Sequence, residues 1–139
     1  MGIPISQFGV FLSLREKIRD KKIISIGVQF PPKHTELVAF HKNFPELLSK
    51  SDLNLLSQTT FKNFQTVLFK SILGAKDLNS IDISADEGAN YIWNMNKDIS
   101  SESISKELAG LGSSFDFIYD SGTMEHVSDV KTYLKNVFY

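Results

Sequence analysis

Four short runs of β-branched and aromatic residues, each too brief for a helix and each followed by a polar or glycine turn, decide what this chain can fold into. Residues 22–28 (KIISIGV) lie between Lys21 and Pro31-Pro32 and read as a strand buried on both faces. Residues 78–83 (LNSIDI) and 90–94 (NYIWN) come next as second and third strands around the polar stretch 84–88, and 115–119 (FDFIY) as a fourth. Elsewhere the apolar period is that of a helix. Phe8, Phe11, Leu12 and Ile18 form one stripe, with Arg15, Glu16, Lys17, Arg19 and Asp20 on its outer face. Thr35 is placed to cap a short helix through Phe40, and Pro45 and Ser51 punctuate the stretch from there to Thr60. Phe61, Phe64, Val67, Leu68 and Ile72 form a second stripe that Gly74 closes. Ser100 or Ser101 caps a helix carrying Ile104, Leu108 and Leu111, closed by Gly110 and Gly112. Ser128 caps a last helix built on Val130, Tyr133, Leu134 and Val137. Strands alternating with helices predict a mostly parallel sheet with right-handed crossovers, in one domain over residues 1–139.

Charge and composition narrow the function classes. Fifteen basic and sixteen acidic residues nearly cancel, and no Lys or Arg run is long enough to follow a phosphate backbone, so nucleic acid is not the expected partner. Cysteine is absent, which removes disulfides, thiolate nucleophiles and cysteine metal sites. The first ten residues lack the pattern of a secretory signal, and no stretch of about 18 apolar residues occurs, so a cytoplasmic protein without a membrane span is expected. His34 and His41 share a helix face only if that segment is helical, and no third ligand accompanies them, so no metal site is expected.

In a parallel α/β sheet ligands sit beyond the C-terminal ends of the strands. Those ends carry Gly27, then Asp82 and Ile83, then Asn94, then Asp120, Ser121 and Gly122. A glycine admits close backbone approach, and a carboxylate can accept both hydrogens of a ribose diol. Asp82 is therefore the candidate diol acceptor; the alternative on the same spacing is that Asp82 caps the next turn and Gly27 relieves a tight bend.

Residues 115–127 (FDFIYDSGTMEHV) resemble the fourth-strand region of class I S-adenosylmethionine-dependent methyltransferases, where a strand ends in a loop followed by a Glu-His pair. Residues 69–96 (FKSILGAKDLNSIDISADEGANYIWNMN) are similar to a subgroup in which a helix ends in LGA, a second strand ends in an acid, and a third strand precedes a polar triplet. The resemblance spans residues 21–139. It implies a Rossmann-like three-layer α/β/α unit with a sheet of about four strands, and S-adenosylmethionine as cofactor. It makes Gly27 part of the methionine-side loop, Asp82 the ribose ligand with Ile83 beside it, Asn94 or its neighbour an adenine-edge contact, and Asp120, Ser121 and Gly122 the floor of the site. The methyl acceptor it implies is a small or sugar-like molecule.

The chain also departs from the family pattern. Its first-strand loop reads Ser25-Ile26-Gly27-Val28-Gln29-Phe30-Pro31, without the preceding acid and the further glycines, and the interval of about fifty residues to Asp82 is too long for a dinucleotide fingerprint. One helix comes after the fourth strand where the family's sheet has seven strands, which predicts a fragment, or a reduced relative that pairs its exposed sheet edge with another copy. Glu125 and His126 are candidates to position or deprotonate the acceptor; the competing reading has Glu125 capping a turn and His126 packing. A methyltransferase-like binding or assembly module without catalysis is the alternative function.

Overall fold

The computed structural model describes residues 3–99, 108, 115–120 and 122–138. These fall into two compact units, one drawn from Met1–Lys21 and Gln29–Leu78, the other from Lys22–Val28 and Asn79–Tyr139.

The first unit is helical. It holds α1 (Ile5–Ser13), α2 (Arg15–Ile18), α3 (His34–Asn43), α4 (Lys50–Leu56) and α5 (Phe64–Thr66), which runs on as a π-helical segment over Val67–Ile72. The apolar stripes of these helices face inward: Phe8, Leu12, Leu37, Phe64, Leu68 and Phe69 are all buried, as is Leu48 from the turn before α4. Edge-to-face ring pairs join Phe8 to Phe40 and Phe11 to Phe69, with centroids 5.7 and 5.2 Å apart. Gly9 is required by this packing, because a Cβ there would lie 2.9 Å from the Phe40 ring. One cap differs from expectation. Helix α3 starts from Lys33 and not Thr35, because the Glu36 carboxylate accepts the Lys33 N–H at 2.8 Å and fixes the start two residues earlier. Helix α4 is capped by Ser49, whose Oγ accepts the Asp52 N–H at 3.1 Å. Gly74 does stand in the left-handed region, at φ +75°, after the π-helical segment.

The second unit carries the sheet. Strands β1 (Lys22–Ile26), β2 (Asp77–Asp82), β3 (Tyr91–Ile92) and β4 (Phe117–Asp120) pair in the order β3-β2-β1-β4, all parallel. Ile24 lies opposite Ile118 and Ile81 opposite Tyr91. The sheet is thus the α/β, Rossmann-like arrangement that the alternation of periods predicts. The chain moves outward from β1 to β3 and then returns to the other side of β1 for β4, so the strand order reverses at β1. Ile24 and Ile26 of β1, Ile81 of β2, Met95, Leu108 and Tyr133 form the core, with Tyr91, Trp93, Val127 and Val137 packed against it.

Helix α6 (Val130–Val137) supplies Tyr133 and Val137 to that core. Its cap is Asp129, whose carboxylate accepts the Thr132 N–H at 3.0 Å, and not Ser128; the Ser128 hydroxyl instead donates to Asn96 Oδ1. The helix expected from Ser100 or Ser101, with Ile104, Leu111, Gly110 and Gly112, lies outside the described residues, of which Leu108 alone is placed, buried and helical. Among the described residues no helix is long and apolar enough to cross a membrane.

Candidate functional site

At the C-terminal end of β1 the chain turns on Gly27, whose φ of +84° suits a residue without a Cβ. The turn is fixed on both sides: the Gly27 N–H donates to Ile81 C=O at 2.7 Å, and the Ser25 hydroxyl donates to Gly27 C=O at 2.6 Å. Next to it, β2 ends on Asp82. One carboxylate oxygen, Oδ2, accepts the Val28 N–H at 3.0 Å; the other, Oδ1, accepts the N–H groups of Ile83 at 2.6 Å and Ser84 at 3.4 Å. Asp82 thereby ties the two strand ends together and bends the chain out of β2, which is why Ile83 leaves the strand. Ile83 is 68% exposed.

A cleft of about 110 Å³ opens here, walled by Gly27, Asp82 and Ile83 together with Trp93, Asn94 and His126. Four of the residues expected at a ligand site, Gly27, Asp82, Ile83 and Asn94, therefore meet at one place, and the acceptor-side candidate His126 joins them. Asn94 is held by its oxygen, which accepts the backbone N–H of Asn96 at 3.0 Å and the Asn96 side-chain amide at 3.1 Å. Its own amide nitrogen has no hydrogen-bond partner among the described residues. Asn96 and Thr123 also line the cleft, although sequence reasoning did not single them out. The Asn94-Met95-Asn96 triplet is the signal that could have found Asn96: its Oδ1 accepts the N–H groups of Ser128 and Asp129 at 2.8 and 2.9 Å, so it fixes the approach to α6. Thr123 donates its hydroxyl to Ile26 C=O at 3.1 Å.

Asp120 and Gly122 stand elsewhere. They line a separate cavity of about 600 Å³ with Ile118, Glu125, Tyr133 and Phe138. Asp120 is saturated by its own turn: it accepts the N–H groups of Gly122, Thr123 and Met124 at 3.0, 2.7 and 3.0 Å, and the Tyr133 hydroxyl donates to it as well. Burial and the facing Asp120 carboxylate push the Tyr133 phenol far above its ordinary value. Ser121 lies outside the described residues. Glu125 and His126 form an exposed pair 3.5 Å apart, and Glu125 faces the larger cavity while His126 faces the cleft. His34 and His41 do share α3, but each is engaged singly, with Ser57 Oγ at 3.2 Å and Leu48 C=O at 2.7 Å.

No protein-family model matches the chain, and no curated protein or solved structure matches it.

Proposed function

We propose that this chain is the cofactor-binding part of an S-adenosylmethionine-dependent methyltransferase acting on a small or sugar-like acceptor. The observation that carries the reading is the placement of Gly27 at φ +84° beside the Asp82 carboxylate, at the C-terminal ends of adjacent parallel strands, with exposed Ile83 next to them.

The residues present fit a nucleoside. A carboxylate has about four lone-pair positions, and three N–H groups occupy Asp82. A ribose diol would use the open position on Oδ2 and displace the Ser84 N–H, the longest of the three contacts. The exposed Ile83 side chain offers an apolar face to a base, and the Asn94 amide offers a donor to its edge. Ligand pockets typically measure roughly 300–1,000 Å³, so a cleft of about 110 Å³ takes no more than the ribose and leaves the base and the methionine end outside. The cofactor supplies an electrophilic methyl group on a sulfonium whose departure as a neutral thioether needs no metal or strong base. What the chain contributes is position: Asp82 and Gly27 would hold the nucleoside end, and His126, on the cleft wall, is available to accept the acceptor's proton.

A non-catalytic module is the second reading, and one observation favours it: Asp82 already serves as a backbone tie between two strand ends. Calorimetry with S-adenosylhomocysteine separates the two. Saturable binding by the wild type, weakened at least about tenfold in Asp82→Ala, is expected of the methyltransferase reading, since tenfold requires only about 1.4 kcal/mol and a charge-assisted hydrogen bond contributes about 1.5 to 3. Asp82→Asn should stay folded by circular dichroism and also bind more weakly. Absence of binding by the wild type, or unchanged affinity in a folded Asp82→Ala, would leave the assembly module standing.

A further inference from the structure

The strand-end cleft offers a nucleoside unequal holds on its two parts. About 110 Å³ admits the ribose, toward which Asp82 Oδ2 keeps a lone pair open beside the N–H of Val28. A base then lies beyond the cleft, against exposed Ile83 and within reach of Asn94. Asparagine reads adenine by two contacts at once, accepting from the exocyclic N6 and donating to N7. Asn94 can make only the second. Its Oδ1 accepts the Asn96 backbone N–H at 3.0 Å and the Asn96 side-chain amide at 3.1 Å, which fills both lone pairs of an amide oxygen. A backbone N–H can only donate, so the atom facing it is the oxygen and the free group is the NH2. Among the described residues, the neighbouring side chains of the wall bring no acceptor in its place. Trp93 has only an N–H, given to Lys97 C=O at 3.2 Å, and Asn96 Oδ1 is taken by Ser128 and Asp129. His126 follows β4, across β1 and β2 from the strand that Asn94 follows.

Resting on the reading of this cleft as a nucleoside site, we propose that it selects the ribose and not the amino group of adenine, so that it takes a 6-oxopurine ribonucleoside as readily as adenosine. Both purines present N7 as an acceptor, which the Asn94 amide can meet in either. They differ at the exocyclic group, an amine in one and a carbonyl in the other, and there Asn94 Oδ1 makes no distinction. A site rejects an analogue strongly where binding it leaves a polar group of the protein unpaired. Here neither purine does so, because Asn94 Oδ1 is paired within the protein before any ligand arrives. The contact with Ile83 is apolar and non-directional, and a base that lies outside the cleft is not sorted by its shape. The ribose is treated differently. Its diol meets a carboxylate, and a hydrogen bond to an ionised acceptor is roughly twice as strong as one between neutral groups.

The test is calorimetry on the full chain with three ligands: S-adenosylhomocysteine, its deaminated form S-inosylhomocysteine, and the 2′-deoxyribose form of S-adenosylhomocysteine. The first two should bind with dissociation constants within about threefold of each other, and the deoxy form at least about tenfold more weakly, a factor that requires only about 1.4 kcal/mol. Asn94→Ala, checked for folding by circular dichroism, should weaken the adenosyl and inosyl forms by a common factor and leave their ratio unchanged. If S-adenosylhomocysteine binds and S-inosylhomocysteine is more than about threefold weaker, the inference falls while the cofactor-site reading stands. A ratio that shifts in folded Asn94→Ala overturns it in the same way, since Asn94 would then be reading the exocyclic group. A deoxy form that binds within tenfold of its parent removes the ribose as the selected part. Failure of all three ligands to bind overturns the nucleoside reading itself, and this inference with it.

Discussion

Tyr133 shows how one residue couples packing to charge. Its ring belongs to the core of the second unit, and its hydroxyl donates to an Asp120 carboxylate that already accepts three backbone N–H groups. Burial and that carboxylate both disfavour the phenolate, so the phenol is raised well above its ordinary value near 10. Below about pH 10 the tyrosine is protonated in the folded and the unfolded chain alike, and the interaction contributes fully. Above that, the unfolded chain ionises first and binds fewer protons than the folded one, so stability falls as pH rises. Tyr133→Phe removes this dependence along with the hydrogen bond. The gap in urea midpoint between wild type and Tyr133→Phe should therefore narrow from pH 8 to pH 10.5; a constant gap would mean that the pair does not act this way.

At the scale of elements, the segment after β3 is held by a helix residue. Asn136 of α6 is buried; its Oδ1 accepts the Ile99 N–H at 2.8 Å, and its amide donates to Met95 C=O at 3.1 Å and Lys97 C=O at 2.8 Å. One side chain thus replaces the secondary structure that the segment after β3 lacks. Asn136→Ala strands three polar groups, each costing about 1–3 kcal/mol if left unsatisfied, and should destabilise the chain by at least about 2 kcal/mol in urea titration. A loss below about 0.5 kcal/mol would show that the segment holds its shape alone. Asn136 also marks where sequence reading ends. The four strands and the stripe of α6 were legible because apolar period is a local signal, and Gly27, Asp82, Ile83 and Asn94 were legible because strand ends are where ligands gather. The caps were misplaced wherever a neighbouring side chain displaced the expected one, as Glu36 does for Thr35 and Asp129 for Ser128. Asp120 lines the larger cavity and not the cleft, and its saturation by Gly122, Thr123, Met124 and Tyr133 depends on a turn and a helix thirteen residues on, which no local pattern encodes. Likewise, nothing in the letters around Asn136 announces partners some forty residues earlier.

For the whole molecule, the way the chain is divided matters more than any single contact. Neither compact unit is a continuous stretch: β1 belongs with residues 79–139, yet it is encoded between two segments of the helical unit. Within the sheet β1 is the strand between β2 and β4, and the only described strand that β4 pairs with. A polypeptide of residues 77–139 therefore contains β2, β3, β4 and α6 but lacks the strand that joins them. It also lacks Ile24 and Ile26, one third of the six-residue core. Without them the remaining two-strand pair β2–β3 rests on two register positions, Ile81 with Tyr91 and Asp82 with Ile92, too little to stand alone in water. Residues 77–139 should accordingly give a disordered circular dichroism spectrum and no cooperative thermal transition, while the full chain unfolds cooperatively. A native-like, cooperative transition in that piece would mean that β1 is dispensable, and that the strand-end cleft built on Gly27 is an addition to the second unit rather than part of its core.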